Sequence, residues 1–319
     1  LSGTYVQMLT ENIPNLRGLS AAYGMGYIPG PWMESIQISK GTASVKNGYE
    51  AIAGQINVEY KKPQNSDKVS LNLFTSSTGR TEANADAAVK LNEKLATSVL
   101  LHASDEFLTL DENKDGYMDL PMVKQYNLAN RWYYKNNGYI LQAFVRGLSE
   151  KRTGGRTDDS YKIGVNTERY EFFVKNGFLF GEDEAKHNHE AGEEHEHHNQ
   201  SSLGIILNGT IQNQNARYGL KNYDGHQNNL YANLIYDASF GEYHKISTGA
   251  SFNADAIDEK LAVNILPENL SRTEYVPGIF AEYTFTRKAL TAMAGFRADH
   301  NSVYGTFITP RFHIRYNIL

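Results

Sequence analysis

The sequence predicts an all-β antiparallel transmembrane barrel preceded by a small α+β segment. Three observations point there. From Lys68 onward, apolar and polar residues alternate with a period of two in about twelve runs bounded by turn residues. Many runs reach ten residues, close to the ~9–11 that a tilted strand needs to cross a bilayer. The polar face of these runs carries charges and amides along its length, as a wet lumen requires. A cytosolic sandwich would alternate too, because one face of its sheet meets a core. A soluble β-sandwich therefore stands as an alternative.

Composition narrows the choice. The 319 residues suffice for one large domain or two. A net charge of -5 and a pI near 6.1 lack the basic field of a general nucleic-acid binder. With no cysteine, neither disulfides nor thiolate metal sites are available. No run of about 18 apolar residues exists, which rules out a transmembrane helix. A mean hydropathy of -0.51 is still compatible with a membrane barrel, since only alternate residues face lipid. The 21 Tyr and 14 Phe, against two Trp, suit a β-rich protein with aromatic girdles.

In chain order, residues 1–26 combine a short apolar stretch, Tyr5 to Leu9, with a Gly-, Asn- and Pro-rich segment. Residues 33–39 then read as a strand, Lys40-Gly41-Thr42 as a turn, the region of Gly48 as a helical step, and 55–60 as a second strand. A basic exit, Lys61-Lys62-Pro63, follows.

Within 27–63, Glu34, Ile36, Ile38, Lys40, Gly41, Ser44, Gly48, Ala51, Gly54, Ile56, Asn57, Lys61 and Pro63 closely resemble the end of the plug domain of TonB-dependent outer-membrane receptors. Gln55 departs from the pattern, standing where a β-branched apolar residue is commoner. The resemblance implies residues 1–63 as the C-terminal part of a plug and 64–319 as the N-terminal part of the barrel. Family barrels have about twenty-two strands, so the chain is expected to be a fragment lacking both ends. The same resemblance implies the outer membrane of a Gram-negative bacterium and the lipid bilayer as surroundings. It implies a small extracellular ligand above the plug apex, and TonB as a partner acting through a plug segment outside this chain. On this basis Asn15, Arg17, Tyr23 and Tyr27 are expected apical ligand contacts, with Arg17 suited to an anionic chelate. The alternative is that they only pack plug against wall.

The barrel runs show which face is which. Leu203, Ile205, Leu207 and Ile211 oppose Asn208, Thr210 and Gln212. Leu230, Ala232, Leu234, Tyr236 and Phe240 oppose Asn233, Asp237 and Ser239. Ile308, Phe312, Ile314 and Tyr316 oppose Thr309, Arg311, His313 and Arg315. Tyr126, Leu128, Trp132 and Tyr134 share a face that ends in aromatics, as a girdle strand should. If the plug exits on the periplasmic side, the turns at 92–94, 135–138, 241–244 and 286–288 are periplasmic and short. The connections at 105–124, 149–163, 215–226 and 256–273 are then extracellular and mostly long, the asymmetry of an outer-membrane barrel.

Two segments carry metal-ligating chemistry. Asp111, Asn113, Asp115 and Asp119 place oxygens at positions 1, 3, 5 and 9 of a calcium-type loop. Gly116 occupies position 6, and Tyr117 would offer its carbonyl at position 7. Met122 stands where the bidentate Glu belongs, so a Ca²⁺ site here is incomplete; an ion-free Asx-rich turn is the alternative. Residues 181–200 hold His187, His189, His195, His197 and His198 among seven carboxylates. Imidazoles so placed suit Zn²⁺, Cu²⁺ or Ni²⁺ as a fluxional store rather than a fixed tetrahedral centre. A solvated charge run is the alternative, and strand parity puts the segment on the periplasmic side.

No G-x-S-x-G, H-E-x-x-H or Walker loop is present, so no enzyme is expected and no cofactor is required. The expected function is TonB-dependent uptake of a scarce nutrient, foremost a metal ion or a siderophore, haem or cobalamin chelate. A glycan or peptide importer with a surface lipoprotein partner is a second reading. A non-transporting surface binding protein or adhesin is a third.

Overall fold

A computed structural model describes residues 6–41, 44–181, 200–263 and 266–317. The described residues form two sheets. The smaller has the order β1-β3-β2, formed by β1 (Val6–Thr10), β2 (Met33–Lys40) and β3 (Gly54–Tyr60). Here β1 runs parallel to β3 and β2 antiparallel to it. Gly54 is required at the start of β3, because a Cβ there would press on the main-chain oxygen of Ser39. The helical step near Gly48 is a 3₁₀ turn, Val45–Asn47, whose Ser44 side chain accepts from the Lys46 N–H at 3.3 Å.

The larger sheet is a twelve-stranded antiparallel meander in which each strand pairs with the next in sequence. Its strands are β4 (Val69–Thr75), β5 (Arg80–Lys90), β6 (Leu95–Glu106), β7 (Met122–Asn136), β8 (Tyr139–Gly155) and β9 (Lys162–Phe180). They continue as β10 (Ser201–Tyr218), β11 (Lys221–Phe240), β12 (His244–Val263), β13 (Leu266–Arg287), β14 (Leu290–Asn301) and β15 (Gly305–Tyr316). The alternation read from sequence is the inside–outside alternation of this wall. On β9, Thr167, Arg169, Glu171 and Phe173 face inward and are buried, whereas Tyr170 and Phe172 face outward.

Glycines on the wall sit directly opposite aromatic residues. Gly147 pairs with Tyr170, Gly209 with Phe172 and Gly249 with Phe280. In the last two pairs a Cβ on the glycine would overlap the ring, which lies across the neighbouring strand. An aromatic laid over a bare glycine keeps the surface filled where the sheet has no side chain of its own.

One expectation is corrected. The stretches 149–163, 215–226 and 256–273, expected as long connections, are mostly ladder. β8 continues to Gly155 and β9 resumes at Lys162, while β10 and β11 are joined by only Gly219 and Leu220. β12 ends at Val263 and β13 starts at Leu266. With 20 and 22 residues respectively, β12 and β13 far exceed a bilayer's need of ~9–11. Both faces of the extended hairpins meet water, so the period-two signal fades there, and from Leu266 to Pro277 β13 pairs with β12 alone.

The small sheet and its loops lie against the inner face of the wall. Ile13, Leu16, Ile28, Trp32, Val58 and Tyr60 pack with Leu100, Ala129, Phe144, Phe173 and Tyr231 of the wall. At the centre, the rings of Tyr60, Phe144 and Phe173 stack, each pair 5.0 Å between centroids.

Candidate functional site

The candidate site is the seam between the wall and the small sheet with its loops, the part expected from the sequence to be a plug, together with the apex of those loops above it. Its lower node begins in a tight turn. Thr10 and Ile13 exchange backbone hydrogen bonds at 3.1 and 2.9 Å, and Glu11 and Asn12 between them adopt φ of 54° and 61°. That turn presents the Glu11 carboxylate to the wall. Arg131 of β7 donates to its two oxygens at 2.7 and 3.1 Å, Lys175 of β9 lies 3.3 Å away, and the Tyr60 N–H donates at 2.9 Å. Burial pushes the Glu11 carboxyl up, but Lys175 and Arg131 outweigh it and hold it at about 2.

Other wall cations are met by plug backbone. Arg169 donates to the Asn15 carbonyl at 2.7 Å and the Ser20 hydroxyl at 2.8 Å, with Glu171 3.6 Å away. Arg146 donates to the Tyr27 carbonyl and, at 3.1 Å, to the Tyr60 hydroxyl. Arg297 reaches the Val45 carbonyl at 3.1 Å, and Arg311 reaches the Ser44 carbonyl at 3.1 Å. In return Glu282 accepts from Ser44, and Lys46 pairs with Asp237 at 2.9 Å. Such an interface is specific but polar, and its bonds can be exchanged for water when the two parts separate.

The apex, residues 18–27, points to the barrel end opposite the 137–138 turn: Tyr23 lies under the Arg152 guanidinium, 4.5 Å from ring centroid to Cζ, near the far end of β8. Of the four expected contacts, Arg17 and Tyr23 are only partly buried. Arg17 pairs with Glu50 at 2.9 Å and with Asp255 of β12 at 3.5 Å. Burial works against its charge, yet these carboxylates raise its pKa. It borders a cavity of about 310 Å³ shared with Tyr49, Glu50, Asp255 and Arg272. Asn15 and Tyr27 are corrected to the packing role. They are 2% and 0% exposed, with Asn15 donating to Glu171 at 2.6 Å and the Tyr27 carbonyl accepting from Arg146, so both lie inside the seam.

In the 111–119 loop, Asp111, Asn113, Asp115 and Asp119 accept from backbone N–H groups of the loop itself. Asp111 takes those of Asp115 and Gly116, Asp115 that of Tyr117, and Asp119 that of Glu112. Asn113 accepts from the Asp115 N–H, and Tyr117 lies beneath Arg156. Among the described residues, no group of three or more acidic, His or Cys side chains converges on a metal position. His187, His189, His195, His197 and His198 lie outside the described residues. The strand ends flanking them, Phe180 and Ser201, are at the barrel end carrying the 137–138 and 241–243 turns.

Sequence reasoning missed Glu11, Arg131, Arg146, Arg169 and Lys175. The available signal was parity: charged residues recur mid-strand on the face whose alternates are apolar or aromatic, as in Arg169-Tyr170-Glu171-Phe172.

A model of the family described as TonB dependent receptor-like, beta-barrel matches residues 101–319. Among solved structures, the chain is similar to the alcaligin outer membrane receptor FauA from Bordetella pertussis (15% identity, TM-score 0.75, covering 98% of this chain and 52% of that one). It is also similar to the copper transporter OprC (13%, TM-score 0.69, 98% and 51%) and to the siderophore receptor PirA from Pseudomonas aeruginosa (13%, TM-score 0.64, 99% and 52%). The chain thus spans about half the length of these structures, and at such identities the likeness speaks for the fold. A comparison with curated protein sequences found no match.

Proposed function

The chain belongs to the TonB-dependent receptor β-barrel family, and we propose that it is the plug-to-barrel portion of an importer in a Gram-negative outer membrane, carrying a metal ion or metal chelate. The observation that carries this reading is the seam: a plug held inside a barrel wall by ion pairs and backbone hydrogen bonds around a small aromatic stack. Around its apolar cluster the seam is built from hydrogen bonds and ion pairs that water can replace. The ligand binds over the apex, where Arg17, Tyr23, Arg152 and Arg272 border open space. TonB draws on a plug segment that precedes the part seen here, and the plug shifts to uncover a path along the inner wall. No catalytic step is assigned, since the family and the neighbours are receptors and transporters.

The structural neighbours favour a metal cargo, being an alcaligin receptor, a copper transporter and a siderophore receptor. The His-rich segment fits the same cargo, as a store on the plug-exit side. Ca²⁺ in the 111–119 loop would stiffen the outer rim and takes no part in transport. A glycan or peptide cargo with a surface lipoprotein remains the second reading of the same fold.

The test is uptake of labelled ferric siderophore, ferric citrate and copper complexes by cells expressing the full-length protein, with and without TonB. Accumulation of one complex only when TonB is present is expected. Equal accumulation in both strains for every complex would overturn the proposal.

A further inference from the structure

Several cations of the inner wall, buried or partly buried, have a wall carboxylate beside them. Arg169 has Glu171, Arg297 has Asp299 and Arg152 has Glu150. Three neighbours on adjoining strands do not. Arg131 of β7 and Lys175 of β9 share one acid, Glu11, and it comes from the plug. Arg146 of β8 has no carboxylate within ion-pair distance among the described residues; it is held by the Asn127 amide oxygen and by plug oxygens.

We infer that Arg131, Arg146 and Lys175, set around the stacked rings of Phe144 and Phe173, form a carboxylate-binding site on the barrel wall that Glu11 fills at rest and a carboxylate-bearing ligand occupies once the plug withdraws.

Four features carry this. Arg131 grips both oxygens of Glu11, the fork geometry by which guanidinium recognises carboxylate. Lys175 and Arg131 also lie over the Phe173 ring, at 5.2 and 5.9 Å, so charge and flat apolar surface are combined in one place. The plug covers the aromatic part as well, with Tyr60 stacked on Phe144, so a ring and a carboxylate leave together. Finally, Glu11 stands on the tip of a two-residue turn rather than inside a strand, so it is removed with the plug while the cations stay on the ladder. With Glu11 gone, Arg131 and Lys175 repel one another across β8, so the uncovered cluster favours an anion in the place of Glu11. The role in transit rests on the import reading; the carboxylate site itself does not.

The two are separable by experiment. In the full-length protein, Glu11→Gly suits the backbone, whose φ of 54° glycine adopts freely, and deletes a side chain equivalent to propionate. Added propionate is expected to raise the thermal transition of the plug by several degrees, saturating in the millimolar range. Propionamide, or sodium chloride at equal ionic strength, leaves it unchanged, and adding Arg131→Gln with Lys175→Gln abolishes the response. An equal response to propionamide or chloride, or none to propionate, overturns the site. If Glu11→Gly does not fold, Glu11→Asn with formate gives the same readout, since Asn tolerates that φ. For the transit role, Lys175→Gln is expected to lower TonB-dependent uptake of ferric citrate, or of whichever carboxylate-bearing complex is taken up, without lowering surface binding. Unchanged uptake overturns that role and leaves the site standing.

Discussion

Arg169, buried on β9, donates to the main-chain oxygen of Asn15 at 2.7 Å, so a wall guanidinium is satisfied by the backbone of the plug. The same guanidinium reaches Ser20 of the plug and Gln212 of the wall, with Glu171 beside it. Arg169→Ala therefore leaves a buried carboxylate with only the Asn15 amide for support. Breaking a buried pair from one side costs about 3–5 kcal/mol. The loss should appear in plug seating: calorimetry should show the plug transition lowered and the barrel transition unchanged. A shift of both transitions together would mean that Arg169 holds the wall instead.

Glu11 makes plug seating depend on acid. Its folded pKa of about 2 lies below the ordinary 4.5, so its stabilising contribution is fully present above about pH 4.5 and fades as pH falls towards 2. The charged groups facing it are Arg131 and Lys175, with Lys62 further off. Protease protection of the plug, followed across that range, should fall with acid in the wild type. In Glu11→Gln the same window should be flat, from a lower starting stability.

The strands were legible because lipid and lumen impose opposite chemistry on alternate residues; Tyr170 and Phe172 against Arg169 and Glu171 is that rule in four positions. What was not legible is pairing across hundreds of residues. Nothing local to Asn15 marks it as a partner of Glu171, 156 positions away, and a Gly- and Asn-rich loop looks like a ligand-binding loop whether or not it is buried. Tyr27 misled for the same reason, its main-chain oxygen being taken by Arg146, 119 positions away. The tall hairpins were read as loops because Arg217 to His226 has no apolar alternate once both faces meet water.

The outward face gives a test of the membrane assignment. Leu128 is 54% exposed and sits mid-strand on β7, beside Tyr126 on the same face. In a bilayer, Leu128→Arg should cost about 2–4 kcal/mol near the midplane. At a water-facing site the change would lie within about 0.5 kcal/mol. Refolding of the full-length protein into lipid vesicles, with equilibrium denaturation of both variants, reads the difference. A change within the smaller range would argue against lipid at this face.

The apex offers a paired comparison in which burial decides the outcome. Arg17 borders the 310 Å³ cavity, with its charge shared between Glu50 and Asp255, while Tyr27 is fully buried. An incoming anion competes with those two carboxylates for Arg17, so the arginine contributes through exchange of partners rather than as a free cation. Arg17→Gln should weaken surface binding of an anionic chelate about tenfold, the equivalent of 1.4 kcal/mol. Tyr27→Phe removes only a hydroxyl that lies inside the seam and should leave binding unchanged. Binding of labelled chelate to cells lacking TonB measures affinity without transport. A loss of affinity in Tyr27→Phe equal to that in Arg17→Gln would mean that both act by unseating the plug, and the ligand contact would then have to lie on the barrel rim.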